Sequence, residues 1–362
     1  QKPFSYSQGE YDRRTVCLVR VTSDDGTYGW GEGYGPAAVV RAGIEFLTPL
    51  LMDCDPLATD ALWQAMSARV LDFARRGILQ ASISALDIAL WDLKGKLLRT
   101  PVHVLLGGRR RDRVQVYATG MYFDREPAMR ERLAREAAEY VRQGFQAVKM
   151  KVGLGFEEDA GNVEAVRRAI GGKIRLMVDS NHAYLRHEAL AIAQRIEPLD
   201  ISWFEEPVSP DDYAGYREMR RQTRIPIAGG ECEYGVHGFQ QLLTAEAVDI
   251  AQPDICACGG LTEVQRIAAL ARAHFVELTP HCWGTGIAFA TGLHFLSTVD
   301  VLPGRLRARE PFLEMDRSEN PLRDQLTVPR FLPDGGSVAV PDAPGLGVDV
   351  DPSRLEEYSS PR

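Results

Sequence analysis

The sequence predicts an α/β protein: a (β/α)8-type barrel preceded by an N-terminal α+β capping domain, which the C-terminal tail completes. Two observations predict it. Short β-rich runs alternate with helical stretches eight times across about 205 residues, a spacing that favours a closed barrel over an open sheet. Ahead of them, a strand pair gives way to a long stretch of helical period, which reads as a separate small unit. The expected division is 1–110 for the cap, 111–320 for the barrel and 321–362 for the tail.

In the cap, Thr15 to Val21 is rich in β-branched residues, Asp24-Asp25-Gly26 supplies a turn, and Tyr28-Gly29-Trp30-Gly31-Glu32 returns. From Val39 to Leu98 the period is helical, with Ile83, Leu86, Leu90 and Leu93 on one face. Thr100-Pro101 and Gly107-Gly108 then break the chain. The barrel strands are expected at 114–118, 147–152, 174–178, 201–204, 225–228, 248–251, 275–278 and 312–315. The last βα unit looks reduced, because Arg317 to Pro321 carries loop residues.

Composition narrows the function. Hydrophobic residues are 45% and charged residues 25%, which excludes disordered and fibrous chains. The net charge of −8 offers no basic stripe, so neither nucleic acid nor an anionic membrane surface is an expected partner. No apolar run reaches the roughly 18–20 residues of a membrane span. The opening Gln1-Lys2-Pro3-Phe4 has no signal-peptide core, and six scattered cysteines suit reduced thiols, so a cytoplasmic protein is expected. A homo-oligomer acting on a small-molecule carboxylate is the expected setting.

The chemistry lies at the strand ends. Lys149 and Lys151 close the second barrel strand, Asp179 the third, Glu205 and Glu206 the fourth, Glu231 the fifth, Asp254 the sixth and His281 the seventh. A barrel turns that linear period into a ring around the C-terminal mouth, where such folds place active sites. Asp179, Glu205 and Glu231 would be three anions facing one space, which repulsion forbids unless a hard cation compensates them; Mg2+ suits three carboxylates with open positions. Lys149 and Lys151 share a face, with Met150 turned the other way. Each ammonium, and a nearby cation, would lower the other's pKa toward that of a general base. Asp254 and His281 would pair as a carboxylate–imidazole dyad. Lys151 and His281, five strands apart, would approach a substrate from opposite sides.

Other features carry less. Solvated carboxylates are common at strand ends, but three in consecutive units are hard to explain that way. A zinc site built from Cys232, Cys256, Cys258 and Cys282 is disfavoured by spacing, and His182, like the other histidines apart from His281, is read as structural. Gly107-Gly108 and Gly259-Gly260 read as turns. Arg13, Arg14 and Tyr34 in the cap could bind the distal end of a substrate, although both arginines could equally be solvated. Asn181 and Trp283 are further candidate contacts.

With these residues in place, the chain resembles the enolase superfamily, in particular its mandelate racemase/muconate lactonizing enzyme group. The likeness runs through Ala85 to Lys96, Val148-Lys149-Met150-Lys151-Val152-Gly153, Val178-Asp179-Ser180-Asn181, Trp203-Phe204-Glu205-Glu206-Pro207, Gly229-Gly230-Glu231, Gln252-Pro253-Asp254 and Pro280-His281. The resemblance implies Asp179, Glu205 and Glu231 as metal ligands, Lys151 as base and Lys149 on the substrate carboxylate. It also implies His281–Asp254 as the second base and Glu314 as a partner of the intermediate. Ala257 stands where muconate lactonizing enzymes and dipeptide epimerases carry a lysine. Thr279 to Gly286 and Glu314 to Arg323 are most similar to galactarolactone cycloisomerases and neighbouring sugar-acid dehydratases. The expected activity is Mg-dependent removal of the proton α to a carboxylate of a sugar acid or lactone, then β-elimination. Racemisation by the same two bases is the alternative, and a Schiff-base lyase using Lys151 the reading outside the family.

Overall fold

The computed structural model describes residues 4–124, 128–301 and 310–359; Gln1 to Pro3 of the opening segment lie outside them. Two hairpins begin the cap. β1 (Phe4–Tyr6) pairs with β2 (Gly9–Tyr11), and β3 (Cys17–Thr22) with β4 (Tyr28–Gly33), both antiparallel. Helices α1 (Ala37–Leu47), α2 (Thr59–Val70) and α3 (Ile78–Leu97) follow. Helix α3 is buried on nearly every side from Gln80 to Leu93. Its close fit to β4 depends on glycine at every second position. A Cβ on Gly29 would stand 2.1 Å from the Ala89 carbonyl oxygen, and one on Gly31 1.9 Å from that of Ala85. Alternation on the strand thus meets the four-residue repeat Ala81, Ala85, Ala89 on the helix.

After α4 (Val102–Leu105) come β5 (Arg113–Gly120), α5 (Met129–Arg142), β6 (Ala147–Lys151), α6 (Phe156–Ile170), β7 (Arg175–Asp179), α7 (Arg186–Ile196), β8 (Ile201–Glu205), α8 (Tyr213–Gln222), β9 (Ile227–Gly229) and α9 (Gly235–Thr244). The series ends with β10 (Ile250–Ala251), α10 (Gly260–Ala273), β11 (Glu277–Leu278), α11 (Gly286–Thr298), β12 (Phe312–Asp316) and the five-residue α12 (Pro321–Gln325). The eight strands are parallel neighbours in sequence order, with β12 returning beside β5. Among the described residues no ladder joins β11 to β12; there the Cys282 backbone N–H donates to Glu314 Oε2 at 3.1 Å.

Alternation sorts the strand side chains. Tyr117, Ala147, Met177, Trp203, Ala228, Ile250 and Phe312 fill the barrel interior as one apolar cluster. Val116, Val148, Met150, Leu176 and Phe204 face the helices instead. Two residues beyond the interior layer, the same inward faces present Thr119, Lys149, Asp179, Glu205 and Glu314.

The tail adds β13 (Thr327–Val328), β14 (Ser337–Ala339), β15 (Asp349–Val350) and α13 (Pro352–Tyr358). It touches the cap, where Asp349 accepts from Tyr28 Oη at 2.9 Å and Trp30 Nε1 at 2.7 Å. It also touches the barrel, where β14 pairs antiparallel with β5. No helix among the described residues is long and apolar enough to cross a membrane.

Candidate active site at the barrel mouth

The first side of the mouth is written into the sheet register. Lys151 pairs with Asp179 across β6–β7, and Asp179 with Glu205 across β7–β8, so the three share one row. Lys151 Nζ donates to Asp179 Oδ2 at 2.5 Å and to Asn181 Oδ1 at 2.8 Å. Lys149, 1% exposed, donates to Glu205, lies 3.0 Å from Glu314 Oε1 and reaches Asp179 Oδ2 at 3.7 Å. Trp203 Nε1 and Gln252 Nε2 donate to the other Glu205 oxygen at 2.9 and 2.7 Å.

Across the mouth, His281 Nδ1 and Asp254 Oδ2 are 2.6 Å apart. That bond leaves Nε2 facing inward, 3.6 Å from Glu231 Oε2 and 3.9 Å from Glu314 Oε2. Thr119 Oγ1 donates to Glu314 Oε1 at 2.6 Å, so Glu314 sits between the two sides.

Charge in this cavity is dense and short of cations. Burial and then neighbouring carboxylates push the carboxyls of Glu205 and Glu231 up to about 7, against the pull of Lys149 and His281 respectively. Burial opposes ionisation of Asp179 as well, but Lys151 and Lys149 override it and hold that carboxyl down at about 2. The His281 imidazole is disfavoured as a cation by burial, yet Glu231, Asp254 and Glu314 raise it to about 10.

At Lys151, burial works against the ammonium, but the ion pair with Asp179 at 2.5 Å more than offsets both burial and Lys149 and raises its pKa; a cation held by Asp179 would work in the opposite direction.

Asp179, Glu205 and Glu231 fit a divalent cation by donor chemistry. They are hard carboxylate oxygens from three neighbouring strand ends, in a cavity whose four carboxylates, with Glu314, outnumber its two lysines. Held by their ion pairs, these three do not close into a set whose ligand atoms all lie within 4.8 Å of one another.

Around the rim, the structure brings Tyr34 and Trp283 to the dyad, with the Tyr34 ring 5.4 Å from His281 and 6.5 Å from Trp283. Trp283 Nε1 is buried without a partner. Asn181 joins Lys151 to Glu206, donating from Nδ2 to Glu206 Oε2 at 3.2 Å. Arg13 does not reach the mouth; its side chain is 80% exposed beside Asp12. Arg14 does. Its guanidinium lies 4.3 Å from both the Phe4 and Trp283 ring centres, its side chain is 6% exposed, and Asp316 Oδ2 is 3.5 Å away.

The sequence reading passed over Tyr6 and Tyr122, whose rings lie 5.5 and 5.6 Å from Lys151 Nζ. Thr119 was within reach, because alternation from Tyr117 puts it inward.

Residues 1–107 match the family profile "Mandelate racemase / muconate lactonizing enzyme, N-terminal domain", and residues 132–354 match "Enolase C-terminal domain-like". D-galactarolactone cycloisomerase of Agrobacterium fabrum is 42% identical, covering 99% of this chain and 95% of its own. Arabinonate dehydratase of Saccharolobus solfataricus is 35% identical over 95% of this chain and 90% of its own. Among solved structures, 3,6-anhydro-D-galactonate cycloisomerase from Zobellia galactanivorans superposes with a TM-score of 0.91 at 51% identity, over 99% of this chain and 98% of that one. A racemase from Streptomyces coelicolor with bound magnesium superposes at 0.85 with 32% identity, over 95% and 91%.

Proposed function

Since this chain belongs to the mandelate racemase/muconate lactonizing enzyme family of the enolase superfamily, we propose that it is a Mg-dependent cycloisomerase that opens the ring of a galactose-derived sugar acid. The observation that carries the reading is a pair of proton-transfer groups, Lys151 and His281, on opposite flanks of one carboxylate-lined mouth.

The two cycloisomerase names share a chemical pattern. In each named acid, a ring oxygen sits β to the carbon whose proton is α to a carboxylate. Removing that proton sends its electron pair toward the carboxylate; the pair then forms the C=C bond as the β C–O bond breaks. The ring oxygen keeps the C–O pair, leaving as a carboxylate from a lactone or taking a proton to become a hydroxyl from an anhydro ring; the enol so formed gains a proton on carbon and loses its hydroxyl proton to give the keto isomer. Substrate and product have the same atoms.

A bound Mg2+, held by Asp179, Glu205 and Glu231, would supply Lewis-acid stabilisation of charge developing on the carboxylate. Lys149 faces the same charge, and Glu314, bonded to Thr119 and the Cys282 N–H, is placed beside it. Lys151 and His281 divide removal and return of the proton between them. Asp254 fixes the imidazole so that Nε2 does the work. Arg14, Trp283 and Tyr34 form the wall for the distal end. The six free thiols accord with a cytoplasmic setting.

Dehydration of an acyclic sugar acid is the second reading, favoured by the arabinonate dehydratase relative. There a hydroxyl leaves in place of the ring oxygen. Schiff-base chemistry on Lys151 leaves the buried carboxylates without a role.

The test is proton NMR in D2O with Mg2+, supplying 3,6-anhydrogalactonate, galactarolactone and arabinonate in turn. Loss of the α-proton signal with formation of an open-chain keto isomer from a cyclic acid is the expected result. Turnover of arabinonate alone would favour dehydration, and no α-exchange with any acid would overturn both. Lys151→Ala and His281→Asn, assayed separately for exchange and turnover, assign the base that starts the reaction.

A further inference from the structure

One level outward from the proposed Mg2+ ligands lies a second cluster of different chemistry. Among the described residues, His182, Glu206 and Cys232 form the one trio of His, Cys, Asp or Glu whose ligand atoms all lie within 4.8 Å of one another. His182 Nε2 is 3.0 Å from Glu206 Oε2 and 3.5 Å from Cys232 Sγ. Each member follows a candidate Mg2+ ligand in the chain: Glu206 after Glu205, Cys232 after Glu231, and His182 three residues after Asp179. The ends of β7, β8 and β9 therefore carry two layers of donors, hard oxygens inside and a mixed set outside.

From this geometry we propose that His182, Glu206 and Cys232 form a second cation site, selective for a zinc-class divalent ion over Mg2+. The donor set is one nitrogen, one carboxylate oxygen and one sulfur, which suits a borderline transition metal and not a hard alkaline-earth ion. The spacing suits it too. With Zn–N near 2.0–2.1 Å and Zn–S near 2.3 Å, a tetrahedral site has N···S edges of about 3.6 Å and N···O edges of about 3.3 Å. The observed edges need shift by only a few tenths of an ångström.

The orientation is set independently of the cluster. His182 Nδ1 lies 3.2 Å from the Val208 carbonyl oxygen, which directs Nε2 at Glu206 and Cys232. An imidazole whose outer N–H is spent on a backbone carbonyl is the usual arrangement of a metal-bound histidine. Glu206 is 1% exposed, and its backbone is fixed by the Ala228 carbonyl, which accepts its N–H at 3.0 Å, and by Ser180 Oγ, which donates to its carbonyl at 2.8 Å. The His182 side chain keeps 17% of its surface exposed, which leaves a way in and a fourth position for water. When the ion binds, the thiol proton and the imidazole Nε2 proton leave to solvent.

The experiment is a Co2+ titration of the full-length protein held in saturating Mg2+. Co2+ reports on its ligands: a tetrahedral thiolate site gives visible d–d bands and a near-ultraviolet sulfur-to-cobalt band. The expected result is both features saturating at one Co2+ per chain, with Zn2+ displacing it. Cys232→Ser should abolish the sulfur band and weaken binding by about tenfold or more, and His182→Gln should weaken it similarly. Circular dichroism of each variant checks that it is folded. The proposal is overturned if no sulfur band forms, if the band survives in folded Cys232→Ser, or if added Mg2+ removes it competitively. The readout is spectroscopic, so it is independent of whether the catalytic reading holds.

Discussion

The two sides of the mouth are built differently. On the lysine side, β5 to β8 are joined by ladders of three to five residue pairs, and Lys149, Lys151, Asp179 and Glu205 lie within those strands. On the histidine side, β9, β10 and β11 are joined by two pairs each. Glu231, Asp254 and His281 lie past the strand ends there, and a lone parallel bridge links Asp254 to His281.

What replaces the ladder is the cap. Asp87 on α3 accepts from the Thr262 N–H and hydroxyl at 2.9 and 2.5 Å, at the start of α10. Glu32 on β4 accepts from the Thr285 N–H and hydroxyl and from the Ala288 N–H, at the start of α11. The helices following Asp254 and His281 thus each have a carboxylate of the cap at their N-terminus. One side is held by backbone register, the other by docking, and each should fail in its own way.

The largest contrast is expected between Lys149→Met and His281→Asn. The first leaves Glu205 and Glu314 buried without their shared cation, which should cost about 3–5 kcal/mol of stability along with activity. The second removes a proton-transfer group, lowering turnover by about 10²–10⁴-fold. It also takes the imidazole from the buried Asp254 and Glu231, but the asparagine amide can still donate to Asp254, so the stability cost should be smaller, about 1–3 kcal/mol. Urea unfolding beside kinetics measures both. Equal destabilisation by the two would erase the distinction between the sides.

Acid should separate the sides next. His294 on α11 is buried, with Nδ1 accepting the His103 backbone N–H at 3.1 Å and Nε2 directed at the Leu346 carbonyl at 3.1 Å. Burial, chiefly, lowers its pKa to about 4 from 6.5. The unfolded chain therefore binds the proton more readily. The stability this neutral imidazole contributes is present above pH 6.5 and lost as pH falls toward 4, on the order of 3 kcal/mol in all. Unfolding curves from pH 7 to 4 should show that slope, and His294→Gln should flatten it. Hydrogen exchange should find α11 loosening before β6.

A smaller effect tests the docking itself. Burial pushes the Asp87 and Glu32 carboxyls up to about 7. Asp87→Asn and Glu32→Gln each keep one acceptor but turn the second oxygen into a donor facing a helix N-terminus, at about 1 kcal/mol apiece. Turnover that depends on His281 should fall more than α-proton exchange that depends on Lys151. Equal loss of both activities would make the cap acids general scaffolding.

The same division explains what could be read from sequence. Strand alternation fixes which side chains point inward, so Lys149, Lys151, Asp179 and Glu205 could be placed from their spacing alone. Past the strand ends alternation no longer operates; Glu231, Asp254 and His281 could be placed only by the repeat of the βα units, and the roles of Glu32 and Asp87 depend on partners more than 170 residues away. The β1–β2 hairpin has three-residue strands, too short to show alternation, yet it sets Tyr6 near Lys151 and Phe4 against Arg14. The Lys151–Asp179 ion pair was missed for a related reason: lysine repulsion along one strand is visible in sequence, whereas the Asp179 contact is made across to the next strand.

Two adjacent arginines offer the finest test, because loop residues with identical chemistry were indistinguishable by pattern. Arg13 is solvated, so Arg13→Ala should shift stability by less than about 0.5 kcal/mol and leave KM unchanged. Arg14 is stacked between Phe4 and Trp283 near the seam where, among the described residues, no ladder joins β11 to β12, and Asp316 on β12 faces its charge. Arg14→Met keeps much of the apolar stem but removes that charge, so KM should rise for acids with a polar distal end while kcat for short acids stays near its original value. If instead kcat fell alike for every acid, Arg14 would belong to the closure of the seam, and the distal wall would have to be sought in Tyr34 and Trp283.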